Sequence, residues 1–233
     1  MKNDLHTRIE ALAQLMFEAK RPVFFTGAGI STDSGLPDFR GPDGVWTHQS
    51  KGFETAKFNW TAAMPNPSHL AIVELQNMGK LFFLITQNVD NLHLKSGIKP
   101  ELLAELHGNN TKLRCQNCGF YCDYFPDLTV CPICEGQLVS SVVDLGNPLP
   151  LGEFSRAEER SRQTDLFIVA GSSLVVYPAA NMPRLALEAG AKLIIINNGE
   201  TPIDSKCRLR FDEQIEMVLP AAVAGLKKII GNN

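Results

Sequence analysis

Pro22-Val23-Phe24-Phe25-Thr26-Gly27-Ala28-Gly29-Ile30-Ser31-Thr32-Asp33-Ser34-Gly35-Leu36-Pro37-Asp38-Phe39-Arg40-Gly41 is the stretch that decides the fold. Residues 22–26 are an apolar run of strand length. Gly27 and Gly29 allow a tight turn and close approach of the backbone to a ligand. Ser31 or Thr32 is suited to cap a helix starting there, and a helix N-terminus attracts phosphate. Strand, Gly-x-Gly turn and helix start together predict a dinucleotide-binding opening. Two of three fingerprint glycines are present. The acidic residue expected about 20 positions on is missing, because residues 47–50 are Thr-His-Gln-Ser. Pro37-Asp38-Phe39-Arg40-Gly41 then adds a carboxylate, an aromatic face and a guanidinium to the same pocket, which hydride transfer does not require.

The rest of the chain extends this unit. Leu5, Ile9, Leu12, Leu15 and Met16 recur at helical spacing and predict a helix over 4–20. Residues 45–66 have no clear period and read as short helices or a loop over the pocket. Pro67-Ser68-His69 opens a second helix, which Gly79 ends. Residues 81–86, 166–170 and 193–196 are further apolar strands. Helices are expected at 154–163, 178–188 and 213–226, with Pro220 kinking or splitting the last. Apolar strands alternating with helices predict an α/β fold, a Rossmann-like parallel sheet covered on both faces.

Residues 112–138 break the pattern. Cys115-x2-Cys118 and Cys131-x2-Cys134 are separated by 12 residues. Two such thiolate pairs predict a closed four-sulfur Zn2+ site of structural type, in a segment too short to fold on its own core. A redox C-x-x-C needs a single low-pKa pair, so two pairs argue against it. Cys122 could compete as a ligand but reads as a bystander, and Cys207 has no assigned role. The chain therefore divides into residues 1–111 with 139–233, the nucleotide-binding domain with segment 46–79 over its pocket, and the zinc-binding module 112–138.

The 233 residues carry a net charge of −3 with no Lys/Arg run, so no direct nucleic-acid partner and no anionic membrane are expected. No apolar run reaches membrane-span length. The amphipathic N-terminus does not read as a signal peptide, and clustered cysteines point to a reducing compartment; a cytoplasmic monomer is expected.

Gln87-Asn88-Val89-Asp90 follows a strand directly, where open parallel sheets bind ligands. His107-Gly108-Asn109 can reach the same crevice. Of the five histidines, His107 is favoured by the glycine beside it and by its access to Asn88 and Asp90. A neutral imidazole suits a general base acting on a hydroxyl. Gly171-Ser172-Ser173 and Asn197-Asn198-Gly199-Glu200 follow two more strands.

G-A-G-x-S-x-x-S-G-[IL]-P-D-F-R-G, matched at 27–41, resembles the hallmark of the sirtuins, NAD-dependent protein-lysine deacylases. Thr86-Gln87-Asn88-Val89-Asp90-Asn91-Leu92-His93 and His107-Gly108 are similar to two further motifs of that family. The resemblance implies NAD as co-substrate, bound by Gly27, Ala28, Gly29, Thr32, Asp38, Phe39, Arg40, Trp46, Gln87, Asn88, Val89 and Asp90. On the adenosine side it implies Gly171, Ser172, Ser173, Asn197, Asn198 and Gln214. It implies that His107 is the base, with Asn88 and Asp90 catalytic. An acyl-lysine protein or peptide would lie along Val142-Val143-Asp144-Leu145-Gly146, and the products would be free lysine, nicotinamide and O-acyl-ADP-ribose. Most sirtuins carry R-P-x-V-V-x-F-G-E after the zinc module. Here Ser140, Leu145 and Asn147 stand for the Pro, Phe and Glu. That departure resembles the class IV branch, in a short prokaryote-like form, and opens acyl preference. The rival readings are a protein mono-ADP-ribosyltransferase and a non-catalytic NAD-sensing module.

Overall fold

A computed structural model describes residues 4–38, 44, 51, 60, 62–144 and 146–232. The predicted strand β1 (Pro22–Thr26) is buried along its whole length. It lies inside a six-stranded sheet with β2 (Phe83–Thr86), β3 (Leu103–Glu105), β7 (Leu166–Ala170), β8 (Lys192–Ile196) and β9 (Leu209–Phe211). The order is β3-β2-β1-β7-β8-β9, and every pairing is parallel. The chain builds outward from β1 on one side, then returns to build outward on the other. This reversal opens a crevice beyond the carboxyl ends of the strands. The register aligns those ends: Thr26 lies beside Thr86 and Ala170, and Ala170 beside Ile196.

Side chains alternate across the sheet, as its period requires. Phe24, Leu84, Ile168 and Ile194 pack beneath α1 (Leu5–Glu18), α2 (Pro67–Asn77) and α6 (Ile215–Gly231). Phe25, Ile85, Phe167 and Ile195 face the other way, toward α4 (Leu151–Gln163) and α5 (Met182–Glu188). The short α3 (Leu92–Ser96) follows the turn after β2. A separate antiparallel sheet in the order β5-β4-β6 contains β4 (Lys112–Cys115), β5 (Tyr121–Asp123) and β6 (Leu138–Ser140).

Three local expectations are corrected. Thr32 opens no α-helix; 3-10 turns occupy Ala28–Ile30 and Thr32–Ser34, and the Ser31 side chain caps nothing. Pro220 does not split its helix, which runs from Ile215 to Gly231. The helix expected over 178–188 is a 3-10 turn at Ala179–Asn181 followed by α5. The edge strands β3 and β9 were not anticipated. Among the described residues, no helix is long and apolar enough to cross a membrane.

Two histidines are buried beneath the sheet ends with ring centroids 4.9 Å apart: His69 on α2 and His93 on α3. His69 Nδ1 lies 3.0 Å from Asn66 Oδ1, and His93 Nε2 lies 2.9 Å from Thr26 Oγ1. Burial lowers the His69 pKa to about 4, and burial with the neighbouring His69 holds that of His93 well below its usual value. Both therefore fold neutral. A depressed folded pKa gives stability that is complete above the unfolded value near 6.5 and is lost as pH falls from there toward 4. His69 alone is expected to cost about 2 kcal/mol between pH 7.5 and pH 5. Urea unfolding at both pH values, on wild type and His69→Gln, checks this; equal pH dependence in the two proteins contradicts it.

Candidate active site

Four strands deliver their next residues to one rim. Gly27 N donates to Ala170 O, Gln87 N to Thr26 O, Gly171 N to Ile196 O and Asn197 N to Phe211 O, at 2.9–3.2 Å. Gly27 and Gly29 are required by contact. A Cβ on Gly27 would sit 2.7 Å from Gly171 O, and one on Gly29 would sit 2.8 Å from the Gly171 Cα. Gly171 itself has φ +71°. The two turns touch backbone to backbone, and Gly29 N donates to Gly171 O at 3.0 Å.

These turns wall a cavity of about 600 Å3. It is lined by Gly27, Ala28, Gly29 and Asp38 from the first turn, and by Gln87, Asn88, Val89 and Asp90 from the second. His107, the run Val142–Asp144, Gly171–Ser173 and Asn197–Asn198 complete the expected set. Thr32, Gly146 and Gln214 do not line it. Thr32 Oγ1 bonds Gly29 O instead, and Gln214 precedes α6 beside Glu213, which is paired with Arg8. Phe39, Arg40, Trp46 and Leu145 lie outside the described residues. Ser31, Leu36, Pro37, Trp60 and Val176 line the cavity without having been singled out as ligand contacts. Ser31 stood inside the deciding stretch as a capping candidate, and Trp60 in the segment read as covering the pocket. Val176 had no local signal.

The polar groups at the cavity floor form one chain. Asn88 Nδ2 donates to Ser31 Oγ at 3.1 Å and to Gly27 O at 3.2 Å. Ser31 Oγ donates to Asp90 Oδ2 at 2.6 Å, and Leu92 N donates to Asp90 Oδ1 at 2.9 Å. Burial raises the Asp90 pKa, while these hydrogen bonds hold it down. Gln87 Nε2 reaches Ser172 Oγ at 2.7 Å, tying the second turn to the third.

His107 is positioned for proton transfer. Its Nδ1 lies 2.9 Å from Gln87 O. A carbonyl only accepts, so Nδ1 carries the proton and Nε2 holds the free lone pair. Burial lowers the His107 pKa, and the bond to Gln87 opposes that shift. The imidazole is therefore neutral at pH 7.

The four predicted cysteine sulfurs lie within 4.8 Å of one another. Cys115 Sγ is 3.5 Å from Cys134 Sγ, and Cys118 Sγ is 3.7 Å from Cys131 Sγ. Tetrahedral zinc with Zn–S near 2.3 Å requires sulfurs about 3.8 Å apart. Asn117 N and Ile133 N each point at the first sulfur of their pair, both at 3.4 Å. All six cysteines are free thiols, and neither Cys122 nor Cys207 belongs to this cluster. The donor set fits a closed structural Zn2+ site.

The Sir2 family profile matches residues 48–178, over half of the chain. The chain belongs to the Sir2 family. It is 42% identical over 230 residues to the NAD-dependent protein deacetylase SRT1 of Oryza sativa subsp. indica, covering 92% of this chain and 47% of that protein. It thus spans about half the length of that plant relative. NAD-dependent protein deacetylase 1 of Bradyrhizobium diazoefficiens is 41% identical over 231 residues, with 87% and 90% of the two chains covered. A solved complex of a Sir2 protein with a p53 peptide and NAD+ superposes with a TM-score of 0.76 at 32% identity. That match covers 97% of this chain and 99% of the other. In this chain a parallel α/β sheet is joined to a four-cysteine module.

Proposed function

We propose that this sirtuin is an NAD-dependent protein-lysine deacylase, and that the residues brought together above are its site. The observation that carries the reading is His107: its Nδ1 is anchored on Gln87 O, and it lines the cavity that the Gly27 and Gly171 turns also wall. NAD supplies a glycosidic bond whose cleavage releases nicotinamide and leaves the ribose C1′ open to the acyl-lysine oxygen. Gly27–Gly29 and Gly171–Ser173 would let the backbone come close to the diphosphate, with the Ser172 and Ser173 hydroxyls beside it. Asn197 would hold the adenosine ribose, with Asn198 beside it. Asn88 and Asp90 hold the opposite, nicotinamide end. Phe39 would cover the nicotinamide, Arg40 would serve the diphosphate, Trp46 would be a further NAD contact, and Thr32 and Gln214 would act from outside the cavity wall. His107 Nε2 accepts the proton of a ribose hydroxyl. The acyl-lysine segment runs along Val142–Gly146, beside His107. The Cys115–Cys118–Cys131–Cys134 site holds zinc away from this chemistry, in a module of residues 112–138 set into a nucleotide-binding domain of 1–111 and 139–233. Its location is proposed to be cytoplasmic and its state monomeric.

Incubation with NAD and acyl-lysine peptides tests the reading. Stoichiometric nicotinamide and O-acyl-ADP-ribose are expected. ADP-ribose transferred to protein, without deacylated peptide, would instead establish the transferase reading.

Long-chain acyl groups are expected to be preferred over acetyl. Ser140, Leu145 and Asn147 remove the aromatic and proline wall found in most sirtuins, and Leu36, Trp60 and Val142 line the cavity with apolar surface. Each methylene buried adds about 0.8 kcal/mol, so two or three outweigh one lost contact. The comparison is kcat/KM on acetyl, succinyl and myristoyl versions of one peptide. Myristoyl should exceed acetyl by about tenfold or more, since two methylenes supply about that factor, with succinyl poorest. Acetyl leading by a similar margin reverses the conclusion.

A further inference from the structure

Behind His107 stands a polar junction with no part in the steps above. Asn109 is fully buried. Its Nδ2 donates to Glu105 Oε1 at 2.6 Å and to Asn91 Oδ1 at 2.9 Å. Its Oδ1 accepts from Thr111 N at 2.9 Å and Thr111 Oγ1 at 2.8 Å. Its main-chain N donates to Ser141 Oγ at 3.0 Å, and its carbonyl accepts from the same hydroxyl at 2.7 Å. One side chain and its own peptide groups thus join three segments that line the cavity: the turn after β2, the His107 turn, and the run entering Val142–Asp144.

Neighbouring backbone bonds follow the same seam. Asn110 N donates to Val89 O at 2.8 Å, and Val143 N donates to His107 O at 2.9 Å. A Cβ on Gly108 would fall 2.0 Å from Ser141 O, so the seam is in direct contact. Asn91 has φ +65°, a left-handed conformation that few non-glycine residues adopt. Its side chain is the one that Asn109 grips.

We infer that Asn109 is a positioning residue which sets His107 and Val142–Asp144 against the Gln87–Asp90 turn, and that proton binding at Glu105 loosens this setting. The inference rests on the deacylase reading in one respect, the role of His107 as base. Burial pushes the Glu105 pKa up to about 7. Glu153 of α4 and Asp90 push it further up; Asn109 and Lys112 of β4 pull it down. Tyr121 of β5 also faces it, its own pKa raised chiefly by burial. Ionised Glu105 accepts a charge-assisted bond from Asn109, about twice as strong as a neutral one. Protonation near pH 7 therefore weakens the grip before His107 titrates.

The test follows the His107 imidazole Cε1–H resonance by NMR from pH 5 to 9 in the zinc-loaded protein without substrate. Wild type should show two inflections: its own, below 6.5, and a second near 7. Glu105→Gln should keep the first and lose the second. A single inflection in wild type, or an unchanged second one in the variant, overturns the inference. The rate arm measures kcat at saturating NAD and peptide over the same range. Glu105→Gln should lower kcat severalfold at pH 8 and remove the inflection near 7. Asn109→Ser should lower kcat at least tenfold, with NAD affinity by calorimetry within threefold and one zinc per chain retained. Wild-type kcat for both variants at all pH values also overturns it. If wild type has no deacylase activity, the deacylase reading fails while the resonance titration still decides the positioning role. That titration also decides the inference should Asn109→Ser fail to fold.

Discussion

His107→Ala is expected to lower turnover by about 10²–10⁴-fold, the range that a positioned acid–base group contributes, while leaving the dissociation constant for NAD within a few-fold. The imidazole is fixed in one tautomer by Gln87 O, so its Nε2 is a base before substrate arrives. It forms one part of a wall to which the Gly27, Gln87, Gly171 and Asn197 turns and the Val142–Asp144 run also contribute, so its loss removes little ground-state binding. An interaction used in the transition state lowers kcat and kcat/KM together. Its pKa is lowered by burial, so the protonated, inactive form accumulates only below about 6.5, and activity should fall on the acid side of that value. Rates of nicotinamide release and calorimetric NAD titration separate the two effects. Near-normal turnover in the variant would remove His107 as the base.

The central strands were legible because β1, β2, β7 and β8 are short apolar runs ended by Gly, Gln or Asn. The edges were not. Leu209-Arg210-Phe211 alternates over three residues and joins the sheet only through β8. Leu103-Ala104-Glu105 is equally short and likewise has one partner, β2. A strand of that length is decided by its neighbour and not by its own propensity. β9 nonetheless matters to the site, because Arg210 Nη1 donates to Asn197 O at 2.8 Å and so steadies the last turn. The first turn failed for a related reason. Ser31 after Gly27-Ala28-Gly29 has the local signature of a cap, yet Gly171, 140 residues away in sequence, presses on the turn, and the hydroxyl goes to Asp90. His107 and the cysteine quartet carried their meaning in spacing and residue type. Asn109 did not: its role lies in partners at positions 91, 105 and 141, which no local pattern encodes.

Removal of zinc is the other change with a large expected effect. The module has little else to hold it: among the described residues its buried apolar cluster consists of Leu113, Leu138, Cys115 and Cys131, and two of those four are ligands. Closed four-sulfur sites supply about 10–16 kcal/mol of apparent binding free energy near pH 7, and in so small a core that energy is folding energy. Chelation, or Cys118→Ser, is therefore expected to unfold β4, β5 and β6. The damage should spread to the active site by a specific route. β6 ends at Ser140, and the next residue, Ser141, holds both main-chain groups of Asn109 two positions beyond His107. Val143 N, two residues further, holds His107 O. Loss of the module should therefore abolish turnover although no sulfur lines the cavity. The six-stranded sheet has its own two cores and should remain folded. Metal analysis of fresh protein should find one zinc per chain. Amide exchange should show loss of protection over 112–144 after chelation, with 22–26 and 166–170 unchanged. Zinc, re-added, should restore both protection and activity. Full activity in metal-free protein, or a disulfide between two of the four sulfurs in the active form, would show that the cluster serves another purpose.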